Sequence, residues 1–320
     1  MSRAAERRRG DSGQGDAESL KRAADLIRGG GLVGFPTETV YGLGANALDA
    51  AAVARIFAVK GRPRHSPLIV HVDSLEMARG LVREWPEAAG RLARKFWPGP
   101  LTLVLEKQAR IPDIVTAGLK TVGLRMPAHR LALALIGAAG VPIAAPSANR
   151  FTELSPTTAA HVREALGDEV DLVLDGGPAA VGIESTVLSL AGGGRVLLRP
   201  GVIALPKIEA VIGPVEVAED AGRAPHASPG MHPRHYSPRT RLVLLAAGDP
   251  APAGRGAWLR AGREMPAQPR AYAAMLYDAL HRLDRQGLDW IAVERPPDAP
   301  EWAGVLDRLR RASHPAEPEP

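Results

Sequence analysis

From residue 16 onward, hydrophobic positions alternate between helical and strand-like spacing. Apolar side chains at residues 20–27 predict a helix that the following glycines end. The apolar run Leu32–Phe35 predicts a strand, and Asp49 predicts the N-cap of a second helix that ends at Gly61. Further elements are predicted as strands at Pro67–Val72, Leu101–Glu106, Val122–Met126, Val141–Ala145, Val170–Leu174, Ser185–Leu190 and Arg195–Leu198, and as helices after an Asp73 cap and over 86–96, 128–139 and 157–166.

This alternation predicts a mixed α/β (α+β) domain over residues 16–212, with a twisted mixed sheet flanked by helices. Residues 213–239 lose periodicity and collect Gly, Pro, Ala and His, which indicates a linker or a lid. Residues 240–312 follow the order strand, strand, helix, strand, helix, which predicts a small Rossmann-like α/β domain. We expect residues 1–15 and 313–320 to be disordered tails.

Composition and charge exclude several classes of function. Of the 320 residues, 45% are hydrophobic and 23% are charged, as in ordinary globular proteins. Cysteine is absent, which excludes disulfide scaffolds, thiolate zinc sites and cysteine nucleophiles. The net charge is +5, of which the first nine residues supply +3, so the remainder carries too little charge for a polyanion-binding surface.

The longest apolar stretch, 131–146, is interrupted by Gly and Pro, so we expect no membrane span. The basic N-terminal segment lacks the apolar stretch of an export signal.

Polar residues concentrate where predicted strands and helices end, which is where open α/β sheets bind ligands. The segment 36–44 places Thr37, Glu38 and Thr39 before two glycines, as a polar ligand site or as a tight turn. Lys60, Arg62 and Arg64 follow the second helix, where they suit phosphate oxygens or simply complement the helix dipole.

Later segments show the same ambiguity. Ser147 and Asn149 follow a strand. Ser155 precedes Pro156 and is predicted to be the N-cap of a helix whose start could also bind an anion. Arg125 and Arg199 close strands, either as clamps for phosphate or carboxylate or as surface ion pairs. His71 ends an apolar strand, where its role could be either structural or catalytic.

No motif for covalent or zinc-dependent catalysis is present: the sequence contains no HExxH, GxSxG or Walker A pattern. Cations and hydroxyls at strand ends instead indicate catalysis by positioning and by charge stabilisation on phosphates.

Taken together, the motifs resemble a known family. The chain is similar to the YrdC-type domain, and over residues 16–312 to the two-domain L-threonylcarbamoyladenylate synthases, whose linker ends in a His-Tyr pair, here His235-Tyr236. The motifs that carry the resemblance are Pro36-Thr37-Glu38-Thr39-Val40-Tyr41-Gly42-Leu43, Lys60-Gly61-Arg62-Pro63, Pro67-Leu68-Ile69-Val70-His71, Trp97-Pro98-Gly99-Pro100-Leu101-Thr102, Arg125-Met126-Pro127, Pro146-Ser147-Ala148-Asn149 and Leu198-Arg199-Pro200-Gly201.

The resemblance implies a YrdC-like fold and a cytoplasmic nucleotidyltransferase of tRNA modification. Its substrates would be L-threonine, bicarbonate or CO2, and ATP with Mg²⁺, and its products threonylcarbamoyl-AMP, pyrophosphate and water. The threonylcarbamoyl group would pass, through downstream transferase proteins, to the adenosine beside the anticodon of tRNA, with weak or indirect tRNA contact and no membrane partner. In-line attack on an α-phosphate needs charge neutralisation and no protein nucleophile.

The resemblance also implies residue roles. It assigns a catalytic tetrad around the ATP phosphates to Lys60, Arg62, Ser147 and Asn149. L-Threonine would be bound by Thr37, His71, Arg125 and Ser185, with Arg125 on its carboxylate. Further ATP contacts would come from Arg64, Thr121, Ser155, Arg199 and the lid residue Tyr236. The acids near the Mg²⁺ ion would be Glu38, Asp175 and Glu184. Which of them, if any, binds the metal is not assigned.

Two other functions stay open at this point. One is an RNA-binding module, which a steep salt dependence of tRNA binding after deletion of residues 1–15 would support. The other is a carbamoyl-adenylate activity like that of hydrogenase-maturation proteins, which carry a zinc-finger part that a cysteine-free chain cannot form.

Overall fold

A computed structural model describes residues 17–218 and 235–314. The predicted tail 1–15, most of the predicted tail 313–320 and most of the predicted linker lie outside these residues; Ser313, which was predicted to begin the second tail, follows the last helix as its C-cap. The helices are α1 (17–28), α2 (Ala50–Lys60), α3 (Leu75–Arg79), α4 (Glu87–Phe96), α5 (Asp113–Thr116), α6 (Arg130–Ala139), α7 (Ala159–Leu166), α8 (Leu205–Ile212), α9 (Pro269–Asp284) and α10 (Ala303–Ala312). Short 3-10 turns occupy Gly167–Glu169, Ala191–Gly193 and Pro300–Trp302.

The strands form two sheets. Their bounds are β1 (Val33–Phe35), β2 (Gly42–Asn46), β3 (Ile69–His71), β4 (Leu101–Glu106), β5 (Thr121–Arg125), β6 (Ile143–Ala144), β7 (Leu172–Val173), β8 (Thr186–Ser189), β9 (Val196–Arg199), β10 (Glu216–Val217), β11 (Arg241–Leu245), β12 (Gly256–Leu259) and β13 (Trp290–Glu294). Strands β1 to β10 make one mixed sheet in the order β10-β9-β8-β4-β5-β3-β6-β2-β1-β7. Strands β11 to β13 make a parallel sheet with β13 in the centre. The predicted mixed α/β architecture is confirmed.

Both faces of the large sheet are covered by helices. Helices α1 and α6 pack with Val33, Phe35 and Ile143 in one apolar cluster. A larger cluster packs α2 and α4 against the opposite face, through residues such as Val70 and Leu124. Neighbouring strand residues point to opposite faces, which is why strands with apolar side chains on both faces read as continuous apolar runs.

The second domain, β11 to α10, shares its core with the first. Its apolar cluster contains Leu276 and Val293, and also Val40, Leu154 and Ile183 from the large-sheet domain. The close approach of the two domains is visible at Gly182, where an added Cβ would lie 2.3 Å from the carbonyl oxygen of Ala273. The two domains are therefore packed against each other through buried apolar surface.

The structure corrects several local expectations. Thr158, and not Ser155, caps α7, because the Thr158 side chain accepts from the amide of His161 while Ser155 is used elsewhere. Ser74, and not Asp73, caps α3. Strand β10 lies within the segment predicted as a linker. The confirmed caps are Asp49 at the start of α2 and Gly61 at its end.

Strand β2 was not predicted, because its sequence Gly-Leu-Gly-Ala-Asn lacks residues that favour strands. The structure shows why glycine is needed there. A Cβ at Gly44 would lie 2.8 Å from ring atom Cε1 of Phe35 and 2.8 Å from Cγ2 of Ile143. The missing side chain makes room for the core of the neighbouring strands.

Candidate active site

A cavity lies at one edge of the large sheet, where β3, β5 and β9 end and β8 begins. His71 and Arg125 are register partners on the parallel strands β3 and β5, so they reach this edge side by side. The cavity spans about 540 Å³ of space outside protein atoms, a figure that includes space open to solvent. Its polar lining comprises Thr37, Thr39, Arg62, His71, Arg125, Ser147, Glu184, Ser185, Arg199, His235 and Tyr236.

Arg125 is fixed by a buried ion pair. Its Nη2 lies 2.7 Å from Oε2 of Glu38, and both side chains are less than one-tenth exposed. The same Nη2 lies 3.5 Å from Oγ1 of Thr37. Glu38 itself does not line the cavity, and its carboxylate forms an ion pair without well-directed hydrogen bonds. Glu38 therefore holds Arg125 from behind, while Arg125 faces the cavity.

His71 is neutral in this environment. Burial, reinforced by the positive charge of Arg125, lowers the pKa of His71 from 6.5 to about 3. The ring lies edge-on to Phe35 at 6.0 Å between centroids. Its Nδ1 is buried and has no hydrogen-bond partner within residues 17–218 and 235–314. A ring nitrogen with no partner on a cavity wall is available to a polar ligand.

Arg199 and Ser185 form the opposite wall. Nη2 of Arg199 donates to the carbonyl oxygen of Ser185 at 3.0 Å and to its hydroxyl at 3.2 Å. The Ser185 hydroxyl also lies 2.8 Å from Oγ1 of Thr102 on β4. Ser185 is therefore oriented by strands on either side of β8.

The expected tetrad is only partly exposed to the cavity. Arg62 and Ser147 line it, whereas Lys60 and Asn149 lie buried behind them. Lys60 Nζ donates to the carbonyl oxygen of Ser147 at 2.6 Å and also to that of Asn149. Asn149 Nδ2 donates to the carbonyl oxygen of Glu153 at 2.8 Å. Lys60 thus braces the loop that carries Ser147.

Both cations of this group are buried. Burial, followed by repulsion from Arg62, holds the pKa of Lys60 well below its usual range. Burial also lowers the pKa of Arg62 to about 10, which leaves the guanidinium charged at neutral pH. Nε and Nη2 of Arg62 donate to neutral oxygens of Ser66 and Pro67. Its charge therefore favours an anion in the cavity.

The segment His235–Ser237 closes the cavity from above. The His235 ring lies edge-on to Phe151 at 5.6 Å, and Phe151 lies beneath the guanidinium of Arg62 at 5.9 Å. Tyr236 is 1% exposed and has a φ of 63°, a left-handed conformation that is uncommon for a residue with a side chain. The Ser237 amide donates to the carbonyl oxygen of Thr152 at 2.9 Å. These contacts hold the Tyr236 ring over the cavity.

Glu184 ties the cavity wall to the second domain. Its Oε1 accepts from the Ser155 hydroxyl at 2.5 Å, and its Oε2 accepts from Nε of Arg308 at 2.7 Å and from the Tyr277 hydroxyl at 3.1 Å. Burial opposes ionisation, but Arg308 and Arg199 outweigh it and hold the pKa of Glu184 below its usual range. Sequence analysis missed Arg308 and Tyr277, because each has the ordinary surroundings of an amphipathic helix.

Besides Lys60 and Asn149, three further expected site residues lie away from the cavity lining. Thr121 is at the far end of β5 from Arg125, which is about 13 Å away at strand spacing, and lines a separate pocket. Arg64 is exposed. Ser155 is buried behind the wall against Glu184. Their assigned roles in ATP binding stay predictions.

The acids near the cavity do not provide a resident metal site. Glu38 is paired with Arg125, Glu184 accepts from three donors, and Asp175 is 59% exposed and lies 3.9 Å from Arg163. Over the two described ranges, no group of three or more His, Asp or Glu side chains could hold a metal ion. A Mg²⁺ cage built from protein side chains therefore does not fit this cavity.

The site can neutralise anions without supplying a nucleophile. Arg62, Arg125 and Arg199 converge on one cavity from three elements, with small hydroxyls between them. Guanidinium groups suit carboxylate and phosphate oxygens, and a lid over them excludes water.

None of the helices that the structure describes has both the length and the apolar character to cross a bilayer.

Comparisons with known proteins match both domains. The Sua5/YciO/YrdC family, described as "telomere recombination", matches residues 25–201, and "threonylcarbamoyl-AMP synthase, C-terminal domain" matches residues 203–314. Proteins named threonylcarbamoyl-AMP synthase from Pyrococcus abyssi and Bacillus subtilis are each 42% identical to this chain over 92% of its length. The matched regions span 94% of the P. abyssi protein and 92% of the B. subtilis protein. A crystal structure of P. abyssi Sua5 complexed with L-threonine has a TM-score of 0.86 at 41% identity, covering 92% of this chain and 94% of that one.

Proposed function

The chain belongs to the Sua5/YciO/YrdC family in its two-domain form, and from this premise we propose that it is a threonylcarbamoyl-AMP synthase. The observation that carries the proposal is the convergence of three arginines and a tyrosine lid on a single cavity. The substrates are L-threonine, bicarbonate or CO2, and ATP. The product is the activated threonylcarbamoyl group used to modify tRNA beside the anticodon.

The chemistry has two stages. The ammonium group of threonine reacts with bicarbonate, forming a C–N bond and giving a carbamate, one water and one proton. A carbamate oxygen then attacks the α-phosphorus of ATP, a new P–O bond forms, and the bond to pyrophosphate breaks. Both stages bring negative charges together, so fixed cations and water exclusion are the main requirements. The cavity supplies both.

Threonine fits the Arg125 side of the cavity. Arg125 is charged, buried and oriented by Glu38, so its fork suits a carboxylate. Thr37 lies beside it, and neutral His71 and the Ser185 hydroxyl offer polar partners for the amine and hydroxyl of the amino acid. The solved structure of the P. abyssi relative with L-threonine supports this substrate class.

ATP fits the Arg62 and Arg199 side. Arg62 and Ser147 would contact phosphate oxygens directly, while Lys60 and Asn149 fix the loop that carries Ser147. Tyr236 would shield the labile adenylate from water. Mg²⁺ would enter as part of the substrate, complexed to the ATP phosphates, since residues 17–218 and 235–314 contain no cluster of acids or histidines that could hold it. Contacts to ATP from Arg64, Thr121 and Ser155 belong to the same proposal.

The product is a mixed anhydride that water destroys, which favours its rapid consumption by a transferase that acts on tRNA. We propose that such transferase proteins take it up downstream and that tRNA contact here is weak or indirect. We propose that the enzyme works in the cytoplasm, where tRNA and ATP are both available.

The test is pyrophosphate release from ATP with Mg²⁺, in the presence and absence of threonine and of bicarbonate. We expect release only with both, and we expect it to collapse in Lys60→Ala and Asn149→Ala. The exposed Lys95→Ala on α4 is the matched control and should retain wild-type rates. Release that ignores threonine, or folded protein that releases none, would contradict the proposal.

A further inference from the structure

Arg308 connects the second domain directly to the cavity wall. It lies on α10 and is 1% exposed, although arginine is seldom fully buried unless its charge is paired. Its Nε donates to Oε2 of Glu184 at 2.7 Å, and its Nη2 donates to the carbonyl oxygen of Glu184 at 3.3 Å. Its Nη1 donates to the carbonyl oxygen of Pro200 at 2.9 Å.

These partners lie at the two ends of the cavity wall, and Glu184 is itself part of the lining. Glu184 precedes Ser185, and Pro200 follows Arg199, so one guanidinium clamps both ends of this wall. The guanidinium carbon also lies 5.2 Å from the centre of the Tyr236 ring, within range of a cation–π interaction. Arg308 therefore touches the wall and the lid at once.

The packing around Arg308 leaves little freedom. Gly304, one turn earlier on α10, lies against the backbone of Gly201. A Cβ at Gly304 would be 2.7 Å from the carbonyl carbon of Gly201. The helix is thus seated directly on the loop that follows Arg199, and a single methyl group would push it away.

We propose that Arg308 is a positioning residue of the synthase site, which couples docking of the second domain to the placement of Ser185, Arg199 and Tyr236. The inference rests on the proposed function, because it states what these residues are positioned for. Arg308 does not line the cavity, so it acts through Glu184 and the lid. The second domain is then part of the working site and not an appended module.

The test compares full-length Arg308→Met, Arg308→Lys and Gly304→Ala with Arg310→Ala, an exposed arginine on the same helix. We expect Arg308→Met to lower kcat/KM for threonine-dependent pyrophosphate release about 100-fold, the scale expected when a substrate-positioning group is misplaced by 1 Å. Arg308→Lys should keep part of the wild-type kcat/KM, because lysine retains the positive charge but lacks the bidentate guanidinium. Arg310→Ala should stay within about two-fold of wild type.

A second readout separates positioning from general destabilisation. Hydrogen exchange should rise at residues 235–237 and 184–186 in Arg308→Met and Gly304→Ala, and stay unchanged in β4. If Arg308→Met does not fold, the proposal is tested with Arg308→Lys and Gly304→Ala, by the same measurements of kcat/KM and hydrogen exchange. Unchanged kinetics and exchange, or exchange that rises equally in β4, would overturn the proposal.

The outcome also distinguishes this inference from the proposed function. Wild-type protein without threonine-dependent pyrophosphate release would refute the synthase assignment. The local exchange pattern would then still decide whether Arg308 holds the wall and the lid in place.

Discussion

Oε2 of Glu38 lies 2.7 Å from Nη2 of Arg125, and the two side chains are 9% and 4% exposed. The carboxylate faces the protein interior while the guanidinium faces the cavity. A ligand carboxylate would approach Arg125 from the opposite side. Glu38 therefore compensates the buried charge of Arg125 before the substrate arrives.

Replacing Glu38 by Gln should destabilise the free protein and make it more responsive to threonine. Leaving one partner of a buried ion pair uncompensated costs about 3–5 kcal/mol. Bound threonine would return a carboxylate to Arg125 and recover part of that loss. Thermal unfolding with and without L-threonine measures both effects, with exposed Glu76→Gln as control. Wild-type stability in Glu38→Gln would contradict the role of the pair.

Arg125→Lys should weaken threonine binding selectively. Lysine keeps the charge but loses the fork, and a charged hydrogen bond contributes about 1.5–3 kcal/mol. We expect the KM for threonine to rise more than ten-fold, roughly as that range implies. The KM for ATP should stay nearly unchanged. An equal rise in both KM values in steady-state assays would show that Arg125 does not distinguish the two substrates.

Stability should fall in acid partly through His71. Its pKa is about 3 in the folded protein against 6.5 for the free group, so the unfolded chain binds this proton more readily. The contribution is complete above pH 6.5 and is lost as the pH falls toward 3, by about 1.4 kcal/mol per pH unit. Urea unfolding between pH 7 and pH 4.5 should show a shallower loss in His71→Leu than in wild type. Equal slopes would exclude a buried neutral His71.

Gly44→Ala should destabilise the fold without touching the cavity lining. The new methyl group would overlap Phe35 and Ile143, and overpacking of this kind costs about 1–3 kcal/mol. Gly80→Ala is the matched control, because a Cβ there meets only backbone oxygens at ordinary distances of 3.5 Å and 3.6 Å. Chemical denaturation of the two variants measures the difference. Similar stabilities would mean that the core around β2 relaxes freely.

Sequence reasoning succeeded where chemistry follows directly from strand ends. His71 and Arg125 each end an apolar strand, and parallel pairing brings them together. It failed where two candidates compete within one turn, as for Ser155 and Thr158. The Ser155 hydroxyl is bound to Glu184, which lies 29 positions along the chain, so the cap passes to Thr158. No local pattern encodes that choice.

The contribution of the second domain could not be predicted for the same reason. Arg308 and Glu184 are 124 positions apart, and only docking of the two domains makes them partners. The buried cluster that joins the domains includes Val40 and Ile183, which read locally as ordinary loop residues of the first domain. Long-range packing, and not residue type, decides these roles.

The position of α10 along the chain has a consequence for synthesis on the ribosome. Every residue that lines the cavity leaves the ribosome before Arg308 does. A nascent chain thus carries the full lining while the wall and the lid still lack the helix that holds them. On our proposal for Arg308, adenylate formation reaches its full rate only after that helix has been translated and has docked, so incomplete chains would consume ATP far more slowly.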